Sequence, residues 1–195
     1  MLNDLRSKIR ALIEDNGEVG VEVFRYTNSN IFTLAEPNIS EITKTLVNGN
    51  ILGSGEDSDY DSETHKVTVT GVDYSTGDTT EFTYTFFKYS DTELNQFIRA
   101  SLVWLNIYHF SDENFEYDLT ADEIFPDMSG KDIDMVAIIA SILIKPDYTS
   151  YKLPNLSVTY PDDVNKMDKI QDFITGVKTG IGAVGVIVWG DKCDC

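Results

Sequence analysis

Asp57, Asp59, Asp61 and Glu63 are the residues whose types and spacing come nearest to chemistry. Carboxylates at alternate positions could converge on a hard cation such as calcium. A helix–loop–helix calcium loop needs Gly at its sixth position and Glu at its twelfth. Here those positions hold Ser62 and Thr68, so the run reads as a solvated acidic hairpin loop. Cys193 and Cys195 form a C-x-C pair at the end of the chain, without histidine partners, and read as exposed thiols. His65 and His109 have no local Asp, Cys or Ser arrangement that would build a triad. Gly53-Ser54-Gly55 and Gly180-Ile181-Gly182 lack the Lys-Ser/Thr that a phosphate loop requires. No catalytic, cofactor-binding or metal-ligating residue is therefore assigned, and an enzyme is not expected.

Composition points the same way. The 195 residues carry 15 Lys and Arg against 33 Asp and Glu, a formal charge of −18. Nucleic-acid affinity comes largely from cations that neutralise phosphates, so this balance argues against a phosphate-tracking surface. Met1–Leu12 holds Asp4, Arg6, Lys8 and Arg10 and no apolar leader stretch, so a secretion signal is not expected. Met135–Ile144, the longest apolar run, is too short to cross a bilayer. The sequons at Asn38 and Asn155 are read as chance.

The elements that would position these residues are legible by period. Leu5, Ile9, Leu12 and Ile13 predict a first helix over 3–15, capped by Asn3 and stopped by Gly17. A β-rich segment follows from Val19 to Lys88. Within it Asn48-Gly49 predicts a type I′ hairpin turn. Phe82, Tyr84 and Phe86 alternate with Thr83 and Thr85 as a strand with one buried face. Ser90-Asp91-Thr92-Glu93 then reads as a capping box. The second helix carries Leu94, Phe97, Ile98, Ser101, Leu102 and Leu105 on one stripe. A third helix is predicted over 131–144, and a fourth opening at Pro161 with Asp162 and Asp163 in its first turn. A last strand, Ile181–Trp189, precedes a polar tail.

The expected fold is α+β: a bundle of about four helices with an inserted antiparallel β module and a C-terminal strand or arm. The chain is expected to be a single domain, 1–195. The β module takes 19–88, the helical layer 90–180 and the arm 181–195.

The order of elements carries a resemblance. Leu5-Arg6-x-x-Ile9 precedes a β module containing Val47-Asn48-Gly49. An aromatic strand then ends in Lys88-Tyr89-Ser90-Asp91-Thr92-Glu93-Leu94 and runs into Phe97-Ile98-Arg99-Ala100. Over Leu5 to about Val177 this resembles the head–tail connector, adaptor or neck-ring, proteins of tailed bacteriophages. The resemblance implies a structural virion protein that forms a homo-oligomeric ring, usually of twelve copies. Such a ring joins the portal of the capsid to the tail and extends the DNA channel. It implies the portal protein and a tail or next neck protein as partners. Double-stranded DNA would pass through without specific binding, and no membrane would be involved. The place would be the virion neck, with assembly in the host cytoplasm.

Asn48 and Gly49 of the hairpin, and Ile181, Val184, Val186, Val188 and Trp189 of the arm, are the expected contact residues. A tail-terminator or tail-completion protein is the alternative within the class. A small β-module binding protein unrelated to phage is the alternative outside it.

Overall fold

The structure is a computed structural model. It describes residues 1–55, 57–108, 113–154, 156–179 and 186–189. The chain divides into two compact units. Unit 1 joins Met1–Asp15 to Asp91–Cys195, and unit 2 is Asn16–Ser90.

Unit 2 is built of strands. They are β1 (Glu18–Arg25), β2 (Ile31–Thr33), β3 (Ile39–Val47), β4 (Asn50–Ile51), β5 (Asp57–Asp61), β6 (Lys66–Thr70) and β7 (Thr79–Phe86). They form two antiparallel sheets, ordered β1-β7-β3-β4 and β2-β6-β5. Period-2 alternation sends one face of each sheet inward. Phe32, Val67 and Val69 from one sheet and Ile39, Phe82 and Tyr84 from the other share one core. Phe24 and Phe32 stand 5.5 Å apart, and Phe32 and Phe82 5.3 Å, both tilted, an arrangement aromatic rings prefer. The Tyr84 ring lies so close over Gly20 that a Cβ there would sit 2.5 Å from the ring. Only glycine fits beneath it.

Unit 1 holds α1 (Leu2–Ile13), α2 (Asp91–Ile107), β8 (Glu116–Asp118), β9 (Glu123–Phe125), α3 (Gly130–Ile144), β10 (Ser150–Leu153), β11 (Leu156–Thr159), α4 (Lys166–Thr179) and β12 (Val186–Trp189). The apolar α3 is central and packs on α1, α2 and α4. Its residues Met135 to Ala140 are fully buried. Ser129 caps it through a capping box with Asp132. β8 and β9 form a hairpin, and β10-β11-β12 a three-stranded antiparallel sheet.

The expected helical bundle with an inserted β module is overturned. Helix and strand take near-equal shares, about 33% and 31%, and the strands form four small antiparallel sheets, so the molecule is mixed α/β. Two of those sheets lie in unit 1, where a helical layer was expected. The reason is strand length. β8, β9, β10 and β11 have three or four residues each, too few to display a period, and an acidic turn disguises the first two.

The last strand expected over Ile181–Trp189 is a strand where it is described. Val186–Trp189 pairs with β11 in register Thr159↔Val186 to Leu156↔Trp189. Three boundaries move. α4 begins at Lys166, because Asn165 Oδ1 accepts the Met167 and Asp168 amides at 3.0 Å and caps it there. α1 begins one residue ahead of Asn3 and ends at Glu14, left-handed at φ 59, before Gly17 is reached. The segment expected as an acidic loop contains β5.

Candidate functional site

The sequence-derived candidates separate on the structure. Asn48 and Gly49 form the two-residue loop between β3 and β4, with φ of 51° and 81°. Those signs match the type I′ turn. Asn48 also fastens the loop to the neighbouring strand: its amide donates to Thr79 O at 2.8 Å, and its Oδ1 accepts from Thr79 N at 3.0 Å. Val186, Val188 and Trp189 lie on β12, the outer strand of its sheet. Ile181 and Val184 lie outside the described residues, as do His109, Cys193 and Cys195.

Asp57, Asp59 and Asp61 alternate on the exposed face of β5. Residues two apart on a strand stand roughly 7 Å apart, so they do not converge on one ion. Asp61 is already engaged, accepting from the Glu63 amide at 2.9 Å and the Thr64 hydroxyl at 2.6 Å. The Thr64 and Glu63 bonds hold its carboxyl below the usual range. Among the described residues no cluster of three or more His, Cys, Asp or Glu is arranged to hold a metal.

Two adjoining depressions lie elsewhere, in unit 1, along α2. One, of about 520 Å³, is lined by Gln96, Arg99, Val103, Asn106, Phe115 and Tyr117. The adjoining one, also about 520 Å³, shares Gln96, Arg99 and Tyr117 and adds Arg6, Asn95, Leu119 and Asp122. The wall opposite α2 is the β8–β9 hairpin, and a polar network holds it in place. Arg6 on α1, its side chain only 10% exposed, reaches Asp122 at the hairpin tip. Its Nη2 donates to both Asp122 oxygens at 3.1 and 2.8 Å, its Nε to Asn95 Oδ1 at 3.0 Å and its Nη1 to Asn3 Oδ1 at 3.0 Å. Asp122 also accepts from the Tyr117 hydroxyl. Burial and that bond push the Tyr117 hydroxyl up to about 12. The Tyr117 and Arg6 bonds hold the Asp122 carboxyl below its usual range. At the other end of the hairpin the Asn106 amide imitates a strand, donating to Phe115 O at 2.8 Å and accepting from Phe115 N at 3.0 Å.

The remaining cations of α1 are also engaged within the unit. Lys8 pairs with Asp134 at 2.6 Å, and Arg10 with Asp15 at 2.6 Å and Asp91 at 2.9 Å. Lys169, 1% exposed, donates to the carbonyls of Pro146 and Tyr148 at 2.6 and 3.0 Å. Arg99 differs: it is exposed, lines both grooves and has no ion pair among the described residues. Its surroundings mix polar groups such as Gln96, Asn106 and Asp122 with exposed apolar side chains: Val103 in one groove, Leu119 in the other, and Ile107 one turn beyond Val103 on α2. Val103 is 56% exposed, Ile107 63% and Leu119 68%. A surface of this kind suits contact with another protein surface.

Sequence reasoning passed over this site. Arg6 and Asp122 are 116 positions apart, and no local pattern joins them. The available signal was Val103 and Ile107, apolar residues off the buried stripe of α2.

No protein-family model and no curated protein matches this chain.

Proposed function

We propose that this chain is a structural, non-enzymatic component of a tailed-phage neck. It forms a homo-oligomeric ring, of about twelve copies in the family it resembles, that joins portal to tail and extends the DNA channel. The observation that supports the reading is the set of exposed apolar side chains along α2 and the β8–β9 hairpin, Val103, Ile107 and Leu119, of the kind that suits contact with another protein surface. Charge supports it. The cations of α1 pair with carboxylates of their own unit, and the 33 Asp and Glu against 15 Lys and Arg leave the chain with a formal charge of −18. Twelve copies would bring on the order of two hundred negative charges to the assembly, and a negative channel wall lets DNA slide without sticking.

The test is electron microscopy and native mass measurement of the purified protein, alone and with the portal protein of its phage. Rings with a central opening that cap the portal are expected. Val103→Asp should abolish ring and portal contacts together while the helical circular dichroism is kept. A protein that neither forms rings nor binds portal, or a Val103→Asp variant that still does both, overturns the reading.

A further inference from the structure

β1 is the outer strand of its sheet in unit 2, and among the described residues no strand pairs with its far side. Tyr26 N donates to Asp78 O at 2.7 Å, continuing the β1–β7 register in which Arg25 lies opposite Thr79. Hydrogen-bonded and non-hydrogen-bonded pairs alternate along an antiparallel ladder. Even-numbered residues of β1 therefore bond to β7, and Val19, Val21 and Val23 turn their N–H and C=O groups outward. The β7 side agrees: Thr85 and Thr83, opposite Val19 and Val21, give their carbonyls to Ser40 and Thr43 on the β3 side, at 3.1 and 3.0 Å.

The same three valines are exposed by 71, 57 and 61%. Natural edge strands are blunted by proline, bulges, brevity and charge. β1 has eight residues without proline or lysine, and it pairs with β7 without a register shift. Of its charges, Glu18 and Arg25 lie at the two ends, and Glu22 is turned to the face opposite the valines, where it accepts from the Tyr84 hydroxyl and the Ala35 amide.

We infer that β1 pairs antiparallel with β1 of a second copy, about a two-fold axis at Val21. Outward-bonding residues must face outward-bonding residues, so the register moves only in steps of two. Centred on Val21, Val21 faces the partner's Val21, Val19 faces the partner's Val23, and Glu22 faces the partner's Gly20. A step one way sets Glu22 against the partner's Glu22, and a step the other way sets Glu18 against the partner's Glu22. Like charges directly opposite destabilise both alternatives. Charge thus selects the register that buries valine on valine, and the two four-stranded sheets become one of eight strands.

A ring with a polar axis uses heterologous contacts, whereas this contact is isologous. It therefore belongs to the free protein and does not rest on the α2 surface or on the ring reading.

The test is disulfide cross-linking in full-length protein with Cys193 and Cys195 replaced by Ser, in high salt to screen the charge repulsion. Directly opposite residues in a hydrogen-bonded pair stand about 5.5 Å apart at Cα, within disulfide reach. Val21→Cys should cross-link with itself. Val19→Cys and Val23→Cys should each fail alone and cross-link when mixed. Sedimentation of the parent should show a dimer, and circular dichroism should show each variant folded. A parent that stays monomeric at high micromolar concentration, or a dimer in which Val21→Cys does not cross-link, overturns the inference. Val103→Asp should leave the cross-link unchanged, which separates this contact from the ring contact.

Discussion

Replacing Arg6 by Met should loosen the hairpin that walls the grooves. Methionine keeps the apolar stem and removes the guanidinium, which makes four hydrogen bonds, two of them to Asp122. Breaking a fully buried ion pair costs about 3–5 kcal/mol. Asp122 is 52% exposed, so water recovers part of its solvation. Asn95 keeps a second partner, its Nδ2 donating to Asp122 at 3.3 Å. The expected loss is about 2–3 kcal/mol, at the level of hydrogen bonds to charged groups.

The assay is urea unfolding followed by tryptophan fluorescence. Both tryptophans, Trp104 and Trp189, belong to unit 1, so the signal reports that unit. A double-mutant cycle with Asp122→Asn should show coupling of about 1–2 kcal/mol. Acid gives an independent check. The Asp122 carboxyl is depressed in the folded state, so its contribution is present above the ordinary value of 3.8 and is lost as pH falls through the lower folded value. The Arg6→Met variant should lack the Arg6 share of that acid loss, while the larger share, from the Tyr117 hydroxyl, remains. A change below about 0.5 kcal/mol, with unaltered acid behaviour, would refute the reasoning by placing the Arg6 network among ordinary surface pairs.

Two further variants probe the scaffold, one in each unit. Gly20→Ala would set a Cβ 2.5 Å from the buried Tyr84 ring, and overpacking of this kind costs about 1–3 kcal/mol. Circular dichroism melts of unit 2 should show it, and a neutral effect would mean that the ring yields. Ser129→Ala removes the cap of α3 and should cost about 1 kcal/mol in the tryptophan-detected transition; no loss would mean that the Asp132 side of the box suffices.

The sequence by itself determined the elements whose causes are local. The φ-positive Asn48-Gly49 turn, the buried stripe of α2 and the alternation of Phe82 and Tyr84 each arise within a few residues, and each could be read from type and spacing. In unit 1 the stretch Tyr148–Tyr160, between Pro146 and Pro161, reads as extended, but its division into β10 and β11, and the existence of β8 and β9, could not be read. Three or four residues of β8 or β10 become strand only because a partner strand supplies hydrogen bonds, and that partner is not written in their own period. The groove was equally hidden, since Arg6, Asn95, Tyr117 and Asp122 come together from α1, α2 and the β8–β9 hairpin. At β1 the exposed valines were visible as alternation with Glu22. Which of their backbone groups point outward, and so what they can pair with, was decided only by the register against β7.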